Sequence, residues 1–201
     1  MTGNGYNSRM IRFTLAMALC LLPVSGQKTW TDAEVMKVHR SALIIDGHND
    51  VTSFTEKGLD IGLLRKEGHS DAVRMKQGGM AGQFFAAYVG VEYMAKGQSA
   101  HRAMQMIDTI RFDIVDKHPA DFTLALTADD ILRARKQGKI AALIGIEGGH
   151  AIEDDLRLLR DYEALGARYM TLTHTRNLSW AGSSAEKDNR GLSEFGRQVI
   201  A

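Results

Sequence analysis

With one cysteine in 201 residues, the chain can form no internal disulfide, and an ordinary hydrophobic core, helped at most by a metal, has to hold it together. It also lacks a charge excess of either sign. Its 25 Lys and Arg against 24 Asp and Glu leave +1, which offers nothing for nucleic acid or an anionic membrane surface to bind. Repeats and low-complexity tracts are missing too. The apolar run at 13–24 is well short of the ~20 residues that span a bilayer, so no transmembrane anchor is expected. That run follows Arg9 and Arg12 and ends in Val24-Ser25-Gly26, the layout of a secretory signal peptide cut after Gly26. The expected destination is secreted or periplasmic. Cys20 falls inside the segment, and the bulky Met17 and Leu19 before it do not fit a lipidation site. The remaining 27–201 carry a net charge of −1 and no cysteine, and their length suits one domain.

Within 27–201, helical and strand periodicities alternate. Thr31-Asp32-Ala33-Glu34 has the form of a capping box opening a helix to about Arg40, and an apolar strand follows at 42–47. Residues 52–82 hold six glycines and read as a long loop carrying a short helix at 70–77. A second strand is expected at 83–91. Residues 99–117 form an amphipathic helix with Ala103, Ile107, Ile110 and Ile114 on one face, stopped by Pro119. Further strands are expected at 122–126, 140–146 and 168–173, with helices at 127–137 and 152–165 between them. The near-continuous apolar run at 140–146 is that of a strand buried on both faces. Strands alternating with helices indicate parallel βα units in an α/β fold. About five strands are counted, which leaves an open doubly wound sheet and a (β/α)8 barrel as alternatives.

Polar residues at the strand exits favour the barrel. The first strand runs into His48 and Asp50, whose i, i+2 spacing puts both side chains on one side of an extended segment. A nitrogen and an oxygen donor placed so suit zinc or a similar divalent ion that promotes hydrolysis. The fourth strand ends in Glu147, followed by Gly148 and Gly149, which would let a backbone or ligand come close. The fifth leads to His174. A barrel gathers the carboxyl ends of all its strands on one catalytic face, whereas an open sheet brings together far fewer. His150 lies beyond the strand end and reads as structural or as support for a ligand. His39, His69, His101 and His118 sit among charged or loop residues and read as surface.

Several segments in order make the chain resemble the membrane (renal-type) dipeptidase family, zinc peptidases of the amidohydrolase-like barrel class. They are Ile45-Asp46-Gly47-His48-Asn49-Asp50, Gly79-Met80-Ala81-Gly82-Gln83-Phe84-Phe85, Ile144-Gly145-Ile146-Glu147-Gly148-Gly149-His150 and Arg168-Tyr169-Met170-Thr171-Leu172-Thr173-His174. Asn177, Trp180 and Gly191-Leu192-Ser193-Glu194-Phe195-Gly196 continue the match, although the family usually has proline where Glu194 stands. The resemblance runs from about residue 30 to the end. It implies that His48 and Asp50 hold a first zinc, that Glu147 bridges two zincs, and that His174 contacts substrate and stabilises the tetrahedral intermediate. Glu147 and His174 are thus the implied catalytic residues. A water activated between the metals would attack the peptide bond of a dipeptide, often one with a D-residue at its C-terminal position. The family's second-zinc histidines, substrate-binding arginine and acid–base aspartate fall in later strands and have no counterpart before Ala201. The chain is therefore expected to be a C-terminally truncated front part of the barrel, inactive alone, with a homodimer allowed at full length. Other metal-dependent barrel hydrolases are the competing enzymes. They usually open with His-x-His or bridge their metals with a modified lysine, so Asp50 and Glu147 speak against them. The non-enzyme reading is a remnant without turnover.

Overall fold

A computed structural model describes residues 29–188 and 190–201. The expected signal segment, with Cys20, lies outside the described residues. The described residues fall into two units, divided after Ser41. In the first, helix α1 (Asp32–Ser41) opens with the expected reciprocal cap. The Thr31 hydroxyl accepts from the Glu34 amide at 3.3 Å, and the Glu34 carboxylate accepts from the Thr31 amide at 2.9 Å, so two amides of the free helix end are satisfied.

The second unit is built on five parallel strands: β1 (Ile44–Asn49), β2 (Met80–Tyr88), β3 (Phe122–Leu124), β4 (Ile140–Glu147) and β5 (Ala167–Met170). Their helices are α2 (Thr52–Thr55), α3 (Ala72–Gln77), α4 (Ser99–Asp108), α5 (Ala128–Lys136), α6 (Leu156–Ala164) and α7 (Glu194–Ile200). The spatial order is β1-β2-β4, and it departs from chain order at β3. Along one edge β4 pairs with β2 from Gly82↔Ala141 to Tyr88↔Glu147. Its other edge is shared. β3 takes the N-terminal half, Phe122↔Ile140 to Leu124↔Ala142, and β5 takes the C-terminal half, Ile144↔Ala167 to Ile146↔Met170. At the carboxyl ends the neighbours are therefore β1, β2, β4 and β5, an arc of consecutive barrel staves with β3 tucked below. Period-two patterning alone could not reveal this, because a three-residue strand and a longer one look alike until their partners are known.

β4 is buried from Ile140 to Ile146, as expected of a strand covered on both sides. Ile140, Ala142, Ile144 and Ile146 face the main core, together with Phe85 and Ala87 of β2 and with Ala103, Met106, Ile107, Ile110 and Ile114. The last five residues lie on α4 and its π-helical continuation Thr109–Asp116, so the expected apolar face does the packing. The alternate β4 residues Ala141 and Leu143 form a second cluster with Ala125 and with Ile131 and Ala134 of α5, against Phe84. Helix α5 thus covers this second face near the N-terminal ends of the strands, while Gly145 and Glu147 extend the same face toward the carboxyl ends. The Thr127–Asp130 capping box fixes the start of α5.

Two expectations are corrected. No single helix runs over 152–165: a 3-10 turn, Gly149–Ile152, is followed by Glu153 and Asp154 at positive φ, and α6 starts only after Asp155, which caps it by accepting from the Arg157 amide at 2.9 Å. His118 is not a surface residue. Its half-buried ring pairs with Asp60 at 2.7 Å, and a Cβ on Gly62 would strike it.

Candidate metal centre

Each side chain of the centre is placed by its strand. At the end of β1, Asn49 turns away from the site: its amide donates to Ser70 Oγ at 2.9 Å and to Gln83 Oε1 at 3.2 Å, and its own carbonyl oxygen accepts from the Val51 amide. With Asn49 anchored on one side, His48 and Asp50 fall on the other, as the i, i+2 spacing expects. The Asp46 carboxylate accepts from the His48 amide at 3.1 Å and helps set the bend. His48 Nε2 then lies 3.3 Å from Asp50 Oδ1 and 3.3 Å from Glu147 Oε2.

Glu147 ends β4, level with Tyr88 of β2, and its second oxygen is 3.3 Å from His174 Nε2. One carboxylate therefore faces two imidazoles, one oxygen toward each. Gly148 has φ +112, a backbone state that side chains resist, and a Cβ at Gly149 would collide with the Leu172 carbonyl and the Trp180 ring. The two glycines let the segment after β5 close over the exit of β4, and the Gly148 amide donates to Thr171 Oγ1 at 2.7 Å. His174 is not at a strand end as expected. β5 stops at Met170, and His174 sits in the segment beyond, its ring edge-on to Tyr88 with centroids 5.3 Å apart.

His48, Asp50 and Glu147 each offer one ligand atom, and these atoms all lie within 4.8 Å of one another; no other such group of three is found among the described residues. A neutral imidazole nitrogen and two carboxylates on a rigid frame suit a divalent cation of zinc type, so the residues present fit the expected metal. His150 stands apart, as expected of a structural group. It is buried, its Nε2 is 3.3 Å from the Gly90 carbonyl, and burial pushes its pKa down.

Two residues at the centre were not among the expected site residues. Burial first, and then the negative charges nearby, push the pKa of both Tyr88 and Tyr169 up, so both remain phenols. Tyr169 reaches His48 Nδ1 at 2.9 Å. The available signal was its place on a strand opposite a glycine, but the pairing Gly145↔Tyr169 emerges only with the sheet.

Residues 32–201 match the family model for membrane dipeptidases, peptidase family M19. Among curated proteins, the chain is 36% identical over 171 residues to dipeptidase ataJ of Aspergillus terreus, covering 78% of this chain and 41% of that one. It is 30% identical over 179 residues to mouse dipeptidase 3, covering 83% and 35%. The chain thus spans less than half the length of these relatives. Among solved structures, the probable dipeptidase PvdM from Pseudomonas aeruginosa superposes with a TM-score of 0.73 at 21% identity, over 84% of this chain and 46% of that one. That likeness supports the barrel-type fold.

Proposed function

The chain belongs to the membrane dipeptidase family, and from that premise we propose that it carries the first-metal half of a zinc dipeptidase centre acting on dipeptides. The observation that carries this is the convergence of His48, Asp50 and Glu147 at the exits of two strands, with ligand atoms mutually within 4.8 Å. His48 and Asp50 would hold one zinc, and Glu147 would join them as a ligand, the bridging role that the family resemblance implies for it. When bound, zinc supplies Lewis acidity and brings the pKa of water toward neutrality.

This chain's own residues would do the rest. His174, packed edge-on against Tyr88 and facing Glu147, would donate from Nε2 to the oxygen of a scissile carbonyl as negative charge gathers there. The half-buried Glu147 fixes the spacing between His48 and His174, so it organises both the metal side and the substrate side.

The described residues account for the ligands of one ion. On its own the polypeptide is read as taking up a single zinc without turning over dipeptides. The test is metal analysis and titration of the purified chain: one chelator-removable zinc is expected, lost in His48→Ala, with no hydrolysis of an Ala-Ala dipeptide. A chain that takes up no zinc, or holds it unchanged without His48, would sink the reading of the site. Chelator-sensitive turnover would sink the claim of inactivity.

A further inference from the structure

Tyr169 stands on β5 level with Gly145 of β4, and its ring lies across that glycine, where any Cβ would run into it. The ring also leans on Phe84 of β2 with centroids 5.1 Å apart. By crossing two strands it brings its hydroxyl to β1, 2.9 Å from His48 Nδ1 and 3.2 Å from the Gly47 carbonyl oxygen. A phenol has one proton to give, and a carbonyl can only accept. Both contacts are hydrogen bonds in one arrangement alone: the phenol donates to Gly47, and its oxygen accepts from His48 Nδ1–H. The neutral imidazole then carries its lone pair on Nε2, the atom 3.3 Å from both Asp50 and Glu147.

We propose that Tyr169 is a positioning residue that holds His48 in the Nδ1–H tautomer and aims its Nε2 lone pair at the metal position. The role rests on reading His48 as a ligand. A ligating histidine commonly has its other nitrogen held by a carboxylate, carbonyl or water, and here a phenol anchored on a backbone carbonyl takes that place. Gly145 belongs to the same device, since only glycine leaves room for the ring to cross β4. Without the hydroxyl, Nδ1 has no partner to fix it, and the ring can rotate or shift its proton to Nε2, where it would compete with the cation.

Tyr169→Phe tests this, because it keeps the ring over Gly145 and removes only the hydroxyl. In the metal-free, histidine-15N-labelled chain, two-bond proton–nitrogen spectra report the tautomer at a pH where the imidazole is neutral; the His48 signal is assigned by its loss in His48→Gln. The expected result is an Nδ1–H pattern in the parent chain that gives way to an averaged or Nε2–H pattern in Tyr169→Phe, with zinc affinity down ~10–100-fold. A purely structural role would lower the thermal midpoint and leave the tautomer unchanged. Gly145→Ala, which keeps the hydroxyl but displaces the ring, should give the same change of pattern. An Nε2–H pattern in the parent chain, or an Nδ1–H pattern that persists in Tyr169→Phe, overturns the proposal. Failure of the parent chain to bind zinc would instead count against the metal reading, and the tautomer pattern would still decide the role of Tyr169.

Discussion

Replacing Glu147 by Gln tests how much of the centre's affinity comes from one negative charge. The amide keeps the shape of the side chain and its position between His48 and His174, so packing is nearly unchanged while the charge is lost. Two unit charges about 4 Å apart interact by about 4 kcal/mol at the effective dielectric of ~20 typical of partly buried pairs. The Glu147 side chain is only 17% exposed against 62% for Asp50, so that figure needs little solvent discount at Glu147. At the more exposed Asp50, solvent screens the charge further and its contribution is smaller. With about 1.4 kcal/mol per tenfold, Glu147→Gln should weaken zinc binding by roughly two to three orders of magnitude. Asp50→Asn should weaken it by at least tenfold less than that. Competition against a chromophoric chelator at fixed pH and salt measures both, and thermal midpoints of the metal-free variants control for folding. An affinity of Glu147→Gln within threefold of the parent chain, or a larger loss in Asp50→Asn, would refute the view that the half-buried Glu147 carboxylate dominates the site.

The remaining expectations concern the frame. The Tyr162 hydroxyl, buried under α6, donates to the Ala151 carbonyl at 2.7 Å; Tyr162→Phe leaves that acceptor unpaired and should cost ~1–3 kcal/mol in urea unfolding, whereas a loss below ~0.5 kcal/mol would show that another donor replaces it. The Glu56 carboxyl is held below its ordinary pKa, chiefly by its hydrogen bond to Arg102. A lowered folded pKa means stability that is present above the ordinary value of 4.5 and lost as pH falls through the folded value. Glu56→Gln should therefore lower the thermal midpoint at neutral pH and match the parent chain once the parent's own carboxyl is protonated; a pH-independent gap between the two would contradict this.

By itself the sequence determined most of the local structure and the chemical character of the site. The capping boxes at Thr31 and Thr127, the apolar face of the helix from Ser99 and the doubly buried run into Glu147 depend on neighbours a few residues away, so periodicity and side-chain chemistry suffice to place them. The His48–Asp50 pair is local in the same sense, because the pleat alone puts both side chains on one side. Only tertiary structure decided that β3 and β5 share one edge of β4, that His174 reaches Glu147 from beyond its strand, and that His118 is half-buried against Asp60. It alone brought Tyr169 across Gly145 to His48. The strand relations and the reach of Tyr169 depend on register between segments far apart in the chain, where a shift of one residue would turn a side chain to the opposite face, and the places of His174 and His118 depend on how non-strand segments pack against distant residues.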